Sequence, residues 1–337
     1  MLERQFAKSG GVRSLWRACV LRTLRARGEG NPWPEDHVVD LVLRAAQSPT
    51  SLTDAPELAT VLAEFVTALV PYSAAAGLFN LSTNLTFGNA ATIALPSISD
   101  LPQADWIREG APMPVVQGVA SAVSMSPHKI GTIVALSNEM MRSSSAEAVV
   151  REALMNNIGP SLDRSLFSAA PGTPGLRPPG LLDGVPPLGE ADAAVMPKTE
   201  AMIEDLETLI EALGPYGGNG RIALICSARH SVRLQNTIFS EKEYPLFVAS
   251  TLTTQLIAVA ASALAVAVDP PRIDSSGETV MHMEDTNPLP IVGDPPGGVM
   301  ATPVRSAWQT DSTGLRFVLP VSWVLRAPAV AWLTPTW

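Results

Sequence analysis

Two neighbouring stretches decide the fold of this chain: DWIREGAPMPVVQ at residues 105–117 and SPHKIGTIVALSNEMMRSSSAEAVVREALMNNIGPSLDRSLF at residues 126–167. The first belongs to a region that predicts an extended hairpin, and the second predicts a strand that leads into one long amphipathic helix. Neither contains a constellation of catalytic side chains. A protruding hairpin and a rigid helix have little to bury against within one subunit, so we expect surfaces that are covered by neighbouring copies.

The long helix is predicted over residues 145–169. Serines 143–145 offer N-caps, and Glu147 places a negative charge in the first turn. Apolar side chains recur at three- and four-residue steps along one face: Val149, Val150, Ala153, Leu154, Ile158, Leu162 and Leu166. Pro160 predicts a bend, because it lacks an N–H and clashes with the preceding turn. The apolar stripe resumes in phase after it, so we expect one bent helix.

The hairpin is predicted from two alternating runs, Leu85–Leu95 and Val115–Leu136, joined by a proline-bearing loop over Pro96–Pro114. Such a hairpin has an unpaired edge on each side, which is an aggregation hazard in a monomer. We expect neighbouring copies to cover these edges.

Composition limits the class of protein. A chain of 337 residues favours two lobes, and 46% hydrophobic against 16% charged residues indicates apolar surface covered by another chain. No run approaches the roughly 20 apolar residues of a membrane span, and no secretory signal is recognisable, so we expect synthesis in a bacterial-type cytosol. Two distant cysteines support neither a disulfide framework nor a zinc site.

Charge is unevenly distributed along the chain. Residues 1–30 hold seven Lys or Arg against two Glu, whereas the remainder carries 16 basic and 30 acidic side chains. The candidate contact residues in this basic segment are Arg13, Arg17, Arg22 and Arg25. The segment is interpreted either as an arm that touches nucleic acid or an acidic neighbouring subunit, or as a loosely ordered solvated tail.

The other elements follow from periodicity and turn signals. Helices are predicted at 33–47, 55–70, 198–213 and 228–238, a turn at 214–220, and strands at 221–227, 246–248, 256–259, 264–268 and 279–283. These make a second lobe with a small sheet flanked by helices. Residues 304–337 alternate again and are expected to return as strands to the first lobe, giving an α+β fold with the second lobe inserted.

No pattern in the sequence predicts catalysis or a cofactor. The four histidines are scattered singly, no GxSxG motif accompanies a serine, and the glycine-rich turn at 214–220 precedes a strand instead of following one. We therefore expect neither an enzyme nor a bound cofactor.

The order of these parts resembles that of tailed-bacteriophage major capsid proteins with the Hong Kong 97-type fold, particularly prophage versions. The resemblance covers about residues 52–337 and is most specific between 105 and 184, at Trp106, Glu109, Gly110, Lys129, Ile130, Ser137, Glu139, Leu162, Asp163, Gly180, Leu181 and Leu182. It implies an α+β capsid fold with an N-terminal arm, an extended hairpin loop, a peripheral domain with a long spine helix, and an inserted axial domain. On this chain the implied divisions are an arm at 1–51, the first part of the peripheral domain at 52–84, the hairpin loop at 85–136, the peripheral domain with its spine helix at 137–194, the axial domain at 195–300 and peripheral return strands at 301–337.

The resemblance also implies a function and partners. The chain would self-assemble, as hexamers and pentamers in a closed icosahedral shell, into the head of a virion in the bacterial host cytoplasm. The shell would hold a portal and packaged double-stranded DNA, a separate scaffolding protein could assist, and no membrane would take part. Because residues 85–118 contain no lysine, the lysine–asparagine crosslink of some relatives is not expected.

Within that picture the candidate contacts between subunits are Trp106, Arg108, Glu109 and Lys129. Trp106 would be an aromatic anchor on the neighbouring subunit with Arg108 and Glu109 as its polar rim, or it would pack on its own hairpin instead. An encapsulin-like nanocompartment shell and a soluble hydrolase of mixed fold are the alternative functions.

Overall fold

The computed structural model describes residues 10–25, 30–45, 64–88, 90–97, 106–109, 122–142, 146–217, 222–237, 244–282, 291 and 301–337. The helices are α1 (Gly10–Arg25), α2 (His37–Ala45), α3 (Ala74–Leu81), α4 (Asn138–Arg142), α5 (Ala146–Leu166), α6 (Lys198–Gly217) and α7 (Ala228–Thr237). The strands are β1 (Thr83–Leu85), β2 (Ile93–Pro96), β3 (Ala122–Met125), β4 (Lys129–Ser137), β5 (Ile222–Cys226), β6 (Leu246–Val248), β7 (Leu256–Ala260), β8 (Leu264–Val268), β9 (Arg272–Ser276), β10 (Val280–His282), β11 (Pro303–Ser306), β12 (Ser312–Leu325) and β13 (Val330–Leu333). Residues 64–69 are also helical and lead into a short 3-10 turn, Val70–Tyr72.

The chain divides into two compact units. The first contains residues 1–65, 130–158 and 270–319, and the second contains residues 66–129, 159–269 and 320–337. The domain boundaries implied by the resemblance stay a prediction.

Helix α1 is an integral part of the first unit. It contacts α2, α4 and β9, and its apolar side chains are buried: Leu15, Trp16, Ala18, Cys19, Val20, Leu21 and Leu24. The Trp16 ring lies 6.0 Å from the ring of Phe65, which in turn lies 5.8 Å from the ring of Phe317. The interpretation of this segment as a loosely ordered tail is therefore wrong for residues 10–25, because burial of the apolar face holds the helix in place.

Strand β12 takes part in both units. In the first unit its residues 314–318 pair antiparallel with β9, and it neighbours β4. In the second unit its residues 321–325 pair antiparallel with β8, which pairs in parallel with β1. The sequence predicted β8 in the small sheet of the second lobe. That prediction is wrong, because the 3-10 turn Ala261–Ala263 redirects the chain between β7 and β8.

The second unit also holds a sheet of its own in the order β13-β7-β5-β6. Strand β5 is buried along its whole length and pairs antiparallel with β7 and parallel with β6. Helices α6 and α7 pack on one face of this sheet, in a core formed by Ala201, Met202, Leu206, Leu209, Leu213, Ile222, Leu224, Cys226, Leu234, Leu256, Ala258, Ala331, Leu333 and Trp337. The expectation that the C-terminal strands return to the first lobe is wrong for β13, which pairs antiparallel with β7.

Helix α5 confirms the prediction of one helix that continues through Pro160. Its buried face carries Val150, Leu154, Met155, Ile158, Leu162 and Leu166. The helix ends at Leu166, three residues earlier than predicted, where the N–H groups of Leu181 and Leu182 donate to the carbonyls of Leu166 and Ser168 at 2.8 and 3.1 Å. These bonds satisfy carbonyls that the end of a helix leaves without partners. The serines predicted as N-caps lie outside the described residues.

The predicted strand over residues 85–95 is interrupted. β1 ends at Leu85 and β2 starts at Ile93, because Gly88 adopts a left-handed backbone with φ of 54° and the Ala90 N–H donates to the Phe87 carbonyl at 2.9 Å in a turn. β2 pairs antiparallel with β3, so the base of the predicted hairpin is present. Much of the predicted loop between them lies outside the described residues.

Candidate functional site

Four described residues of the predicted loop, 106–109, form an exposed segment. Trp106 is 105% exposed relative to an extended reference, and Ile107 is 41% exposed. Arg108 and Glu109 are exposed as well. An indole held in water leaves apolar area available for burial, since Trp and Tyr dominate the energetics of protein contacts. Trp106 therefore packs on none of the described residues of its hairpin, and both its role as an anchor and the alternative of packing on the hairpin stay predictions.

Lys129 is exposed at the first residue of β4. The preceding residue is fixed in the second unit: the His128 carbonyl accepts from the Val321 N–H at 3.0 Å, and the His128 Nδ1 lies 3.1 Å from the Ser322 hydroxyl. Burial lowers the pKa of His128. The backbone that carries Lys129 is thus well held, whereas its part in a subunit contact stays a prediction.

Three of the four candidate arginines on α1 are paired with carboxylates of their own unit. Arg17 lies 3.0 Å from Asp36, Arg22 lies 3.5 Å from Asp274, and Arg25 lies 2.6 Å from Asp40. The Arg17 guanidinium also lies over the Trp33 ring, 5.4 Å from its centroid.

Arg13 is exposed on the same helix. The basic character of this segment is therefore partly neutralised within the chain, and its predicted contact with nucleic acid or another subunit stays a prediction.

Asp163 is the most strongly bonded buried carboxylate of the described residues. It projects from α5 and is 1% exposed. It accepts hydrogen bonds from the Ser73 hydroxyl at 2.6 Å, the Ala75 N–H at 2.9 Å and the Ala74 N–H at 3.1 Å. These donors belong to the N-terminus of α3, where the helix dipole favours a negative charge. Burial raises the pKa of Asp163 and the three hydrogen bonds oppose that rise.

A second buried network brings a serine, a histidine and an aspartate together without forming a catalytic site. The Ser227 hydroxyl lies 3.0 Å from the His230 Nδ1, and the His230 ring meets the Trp337 ring edge-on at 5.2 Å. Asp205 accepts from the Trp337 indole N–H and the Ala191 N–H, both at 2.7 Å. The aspartate therefore orients a tryptophan and a loop instead of the imidazole, and all of these side chains are buried away from any substrate.

No sequence pattern indicated this network, because its members are separated by up to 132 positions. Only the pairing of Ser227 with His230, three residues apart at the start of a predicted helix, could have been found in advance.

The described residues also offer little other chemistry. They hold no group of three or more side chains that could bind a metal ion. Burial raises the pKa of both thiols, that of Cys226 to about 12, so neither is a thiolate near neutral pH. No helix within the described ranges is long and apolar enough to cross a bilayer.

Comparison with known proteins gives one family and one fold. Residues 59–244, more than half of the chain, match the model of the Phage capsid family. No curated protein matches the chain by sequence. One similar solved structure comes from Mycobacterium phage Cain, with 12% sequence identity and a TM-score of 0.52 over 78% of this chain and 90% of that chain. Another comes from Mycobacterium phage Adephagia, with 14% identity and a TM-score of 0.50 over 79% of this chain and 90% of that chain. A third comes from Mycobacterium phage Bobi, with 16% identity and a TM-score of 0.50 over 79% of this chain and 91% of that chain. At these identities the likeness concerns the fold alone.

Proposed function

Since this chain belongs to the phage capsid family and is a major capsid protein of the virion shell, we propose that it builds the icosahedral head of a tailed bacteriophage or prophage in the Hong Kong 97-type arrangement. The observation that carries the proposal is the family match over residues 59–244. The fold of mixed helices and strands, similar to phage chains over more than three quarters of the sequence, supports it. The nanocompartment alternative has no comparable support.

The proposed mechanism is geometric and needs no reaction. A closed shell forms when each subunit makes several head-to-tail contacts whose rotations close on themselves. Each contact can be modest, since interfaces of about 1,200–2,000 Å² suffice for specific association. Hexamers and pentamers of this chain would form the shell, with a portal and packaged DNA, and with a scaffolding protein where one is needed.

The contact proposed for the loop places Trp106 on a neighbouring copy, with Arg108 and Glu109 around it. Its support is the complete exposure of the indole beside the exposed Ile107. The Lys129 contact and the role of the α1 arginines belong to the same proposal. The spine is assigned to α5, and the axial domain to the region around the β13-β7-β5-β6 sheet.

The proposal is tested by expressing the chain in a bacterium, alone and together with scaffold candidates, and imaging the purified material by cryo-electron microscopy. Closed polyhedral particles with fivefold vertices are the expected result. A chain that stays a folded monomer at high concentration under every assembly condition contradicts the proposal.

A further inference from the structure

We propose that adjacent copies of this chain are joined by an electrostatic contact in which the acidic face of α6 in one copy docks on the basic face of α7 in the next. The inference rests on the proposed function, because it presumes that copies associate in a shell. Both faces lie in the second unit of the chain.

The acidic face is a row of four glutamates along α6: Glu200, Glu204, Glu207 and Glu211. Steps of four, three and four residues place them on one side of the helix. All four are exposed, and Ile203 beside them is 41% exposed. The opposite side of the helix is buried in the core of the sheet.

The basic face is a shorter patch on α7 with the same layout. Arg229 is exposed, Arg233 is half-buried, and Val232 between them is 57% exposed. Each face therefore presents an apolar side chain beside charges of one sign. The two signs are opposite, so the faces complement each other in charge and in the placement of the apolar residue.

Neither set of charges is paired with an oppositely charged side chain among the described residues. The four glutamates, Arg229 and Arg233 form no ion pair with any residue that the structure describes. The Arg233 Nη1 is buried without a hydrogen-bond partner. Burial and the positive charges of Arg229 and Arg233 lower the pKa of the neighbouring His230, as expected where a positive field is uncompensated.

The charges also destabilise the helices that carry them. Like charges three or four residues apart repel each other along α6, and Arg229 repels Arg233 along α7 in the same way. Arg229 lies in the first turn of α7, which has no acidic residue. The helix dipole disfavours a cation in that position. A facing helix of opposite charge would relieve these repulsions.

The position of the helices suits a reciprocal contact between two copies. Helix α6 contacts β7 and β13, whereas α7 contacts β6. Because the strand order is β13-β7-β5-β6 and both helices pack on the same face of this sheet, their exposed sides point away from that face side by side. Two copies related by a twofold axis can then place the acidic face of each on the basic face of the other. The second copy of the chain is therefore the occupant that fits both faces.

The test uses charge reversals in the full chain, with particle yield measured by velocity sedimentation and electron microscopy. The first variant is Glu204→Lys/Glu207→Lys, the second is Arg229→Glu/Arg233→Glu, and the third combines all four changes. The control is Asp183→Lys/Glu278→Lys, which changes the net charge as the first variant does, at exposed carboxylates that belong to neither face.

Folding of each soluble subunit is checked by its thermal melting. The Arg229→Glu change places a carboxylate in the first turn of α7, where the helix dipole favours it. The two lysine substitutions on α6 each place a cation four residues from a remaining glutamate, Glu200 or Glu211, and such pairs of opposite charge support a helix. These variants should therefore fold as well as the parent chain.

Each reversed pair alone should lower the particle yield by about tenfold or more, since like charges would then face each other across the interface. The combined variant, in which the two new lysines of α6 can face the two new glutamates of α7, should recover much of the yield, and the control should assemble normally. Normal assembly of both reversed variants, or failure of the combined variant to recover, would overturn the contact while leaving the shell function intact. Absence of particles from the parent chain would overturn the shell function and this contact with it.

Discussion

Individual residues of this chain are constrained most where the backbone of another segment approaches them. A Cβ built on Gly159 would lie 2.6 Å from the Tyr72 carbonyl oxygen, and one built on Gly180 would overlap the Ser168 carbonyl oxygen. The glycine that interrupts the apolar face of α5 thus serves close packing of the 3-10 turn on the helix.

Replacement of Gly159 by alanine should lower the free energy of unfolding by about 1–3 kcal/mol, because overpacking forces the backbone of Tyr72 to move. Urea unfolding of the soluble subunit measures the change. The matched control is Gly214→Ala in α6, where nothing lies within 4 Å of the added Cβ. Gly214 and Gly159 both precede a proline within their helices, so the two substitutions share the clash of an added Cβ with the proline ring, and the control should cost less than Gly159→Ala. Equal effects of the two substitutions would contradict the close-approach argument.

Removal of the Asp163 carboxylate should lower the free energy of unfolding more than substitution of an exposed aspartate does. Asp163→Ala leaves the Ala74 and Ala75 N–H groups and the Ser73 hydroxyl without their acceptor, at about 1–3 kcal/mol for each donor left unsatisfied. Asp163→Asn keeps one acceptor oxygen and should cost less than the alanine change. Denaturant unfolding compares both with Asp183→Asn, an exposed control that should be neutral.

The buried His230 and the half-buried His128 predict a loss of stability on acidification. The pKa of His230 and that of His128 are lowered from 6.5, in both cases chiefly by burial. A lowered folded pKa means that the stabilisation is complete above 6.5 and is lost as the pH falls from 6.5 through the folded pKa. The raised pKa values of Asp163 and Asp205 act in the opposite direction. The folded state binds a proton at these groups before the unfolded state does, so its stability increases as the pH falls towards 3.8.

Thermal melting of the parent subunit and of His230→Gln at a series of pH values measures this effect. The substitution should flatten the decline just below pH 6.5, the ordinary pKa of histidine. An unchanged decline in that variant would exclude His230 as its source.

At the scale of single elements, the periodicity of apolar residues predicted the positions of those helices and strands that depend on local sequence. The long helix over α5, the buried strand β5 and helix α7 were predicted close to their observed bounds, because each has a regular helical or strand-like pattern. Helix α6 runs four residues past its predicted end, into residues that were predicted as a turn. The partners of strands could not be predicted in the same way. β8 and β13 are apolar and short, and either sheet would bury them equally well, so their pairing depends on the turn at Ala261–Ala263 and on the core under α6.

In the candidate site, too, the sequence pointed to individual residues but not to their contacts with distant segments. The sequence singled out Trp106 and Asp163, and the structure finds one fully exposed and the other buried. It could not predict that Asp163 caps α3, because the donors lie about 90 positions earlier in the chain. The sequence could not predict the ion pair of Arg22 for the same reason, since its partner Asp274 lies on a strand that is distant in sequence.

The loop element carries a prediction of its own. Trp106→Ala should lower the yield of assembled particles while the melting temperature of the soluble subunit stays unchanged, because the exposed indole packs on none of the residues that the structure describes. Sedimentation and electron microscopy of the particles measure the yield. Trp308→Ala, at another exposed tryptophan, tests whether any exposed indole has this effect. Normal yield from the Trp106 variant would count against the anchor.

At the scale of the whole molecule, net charge and its distribution limit contact with the packaged polymer. The chain carries a net charge of −9, and three α1 arginines are already paired with aspartates. The unassembled subunit should therefore bind double-stranded DNA weakly, with little dependence on salt. Gel-shift titration at low and moderate ionic strength measures this. Tight binding that disappears with salt would contradict it, and its loss in Arg13→Ala would assign it to α1.

The two units of this chain are divided inside continuous elements. One division falls between Ile158 and Gly159 within α5, and another falls between Leu319 and Pro320 within β12. A nick at either point would cut a hydrogen-bonded helix or strand instead of a linker. Engineered splitting or circular permutation of the polypeptide should therefore be directed to surface turns such as the one around Gly175, and a differential scanning calorimeter should record a single endotherm in which both units melt together.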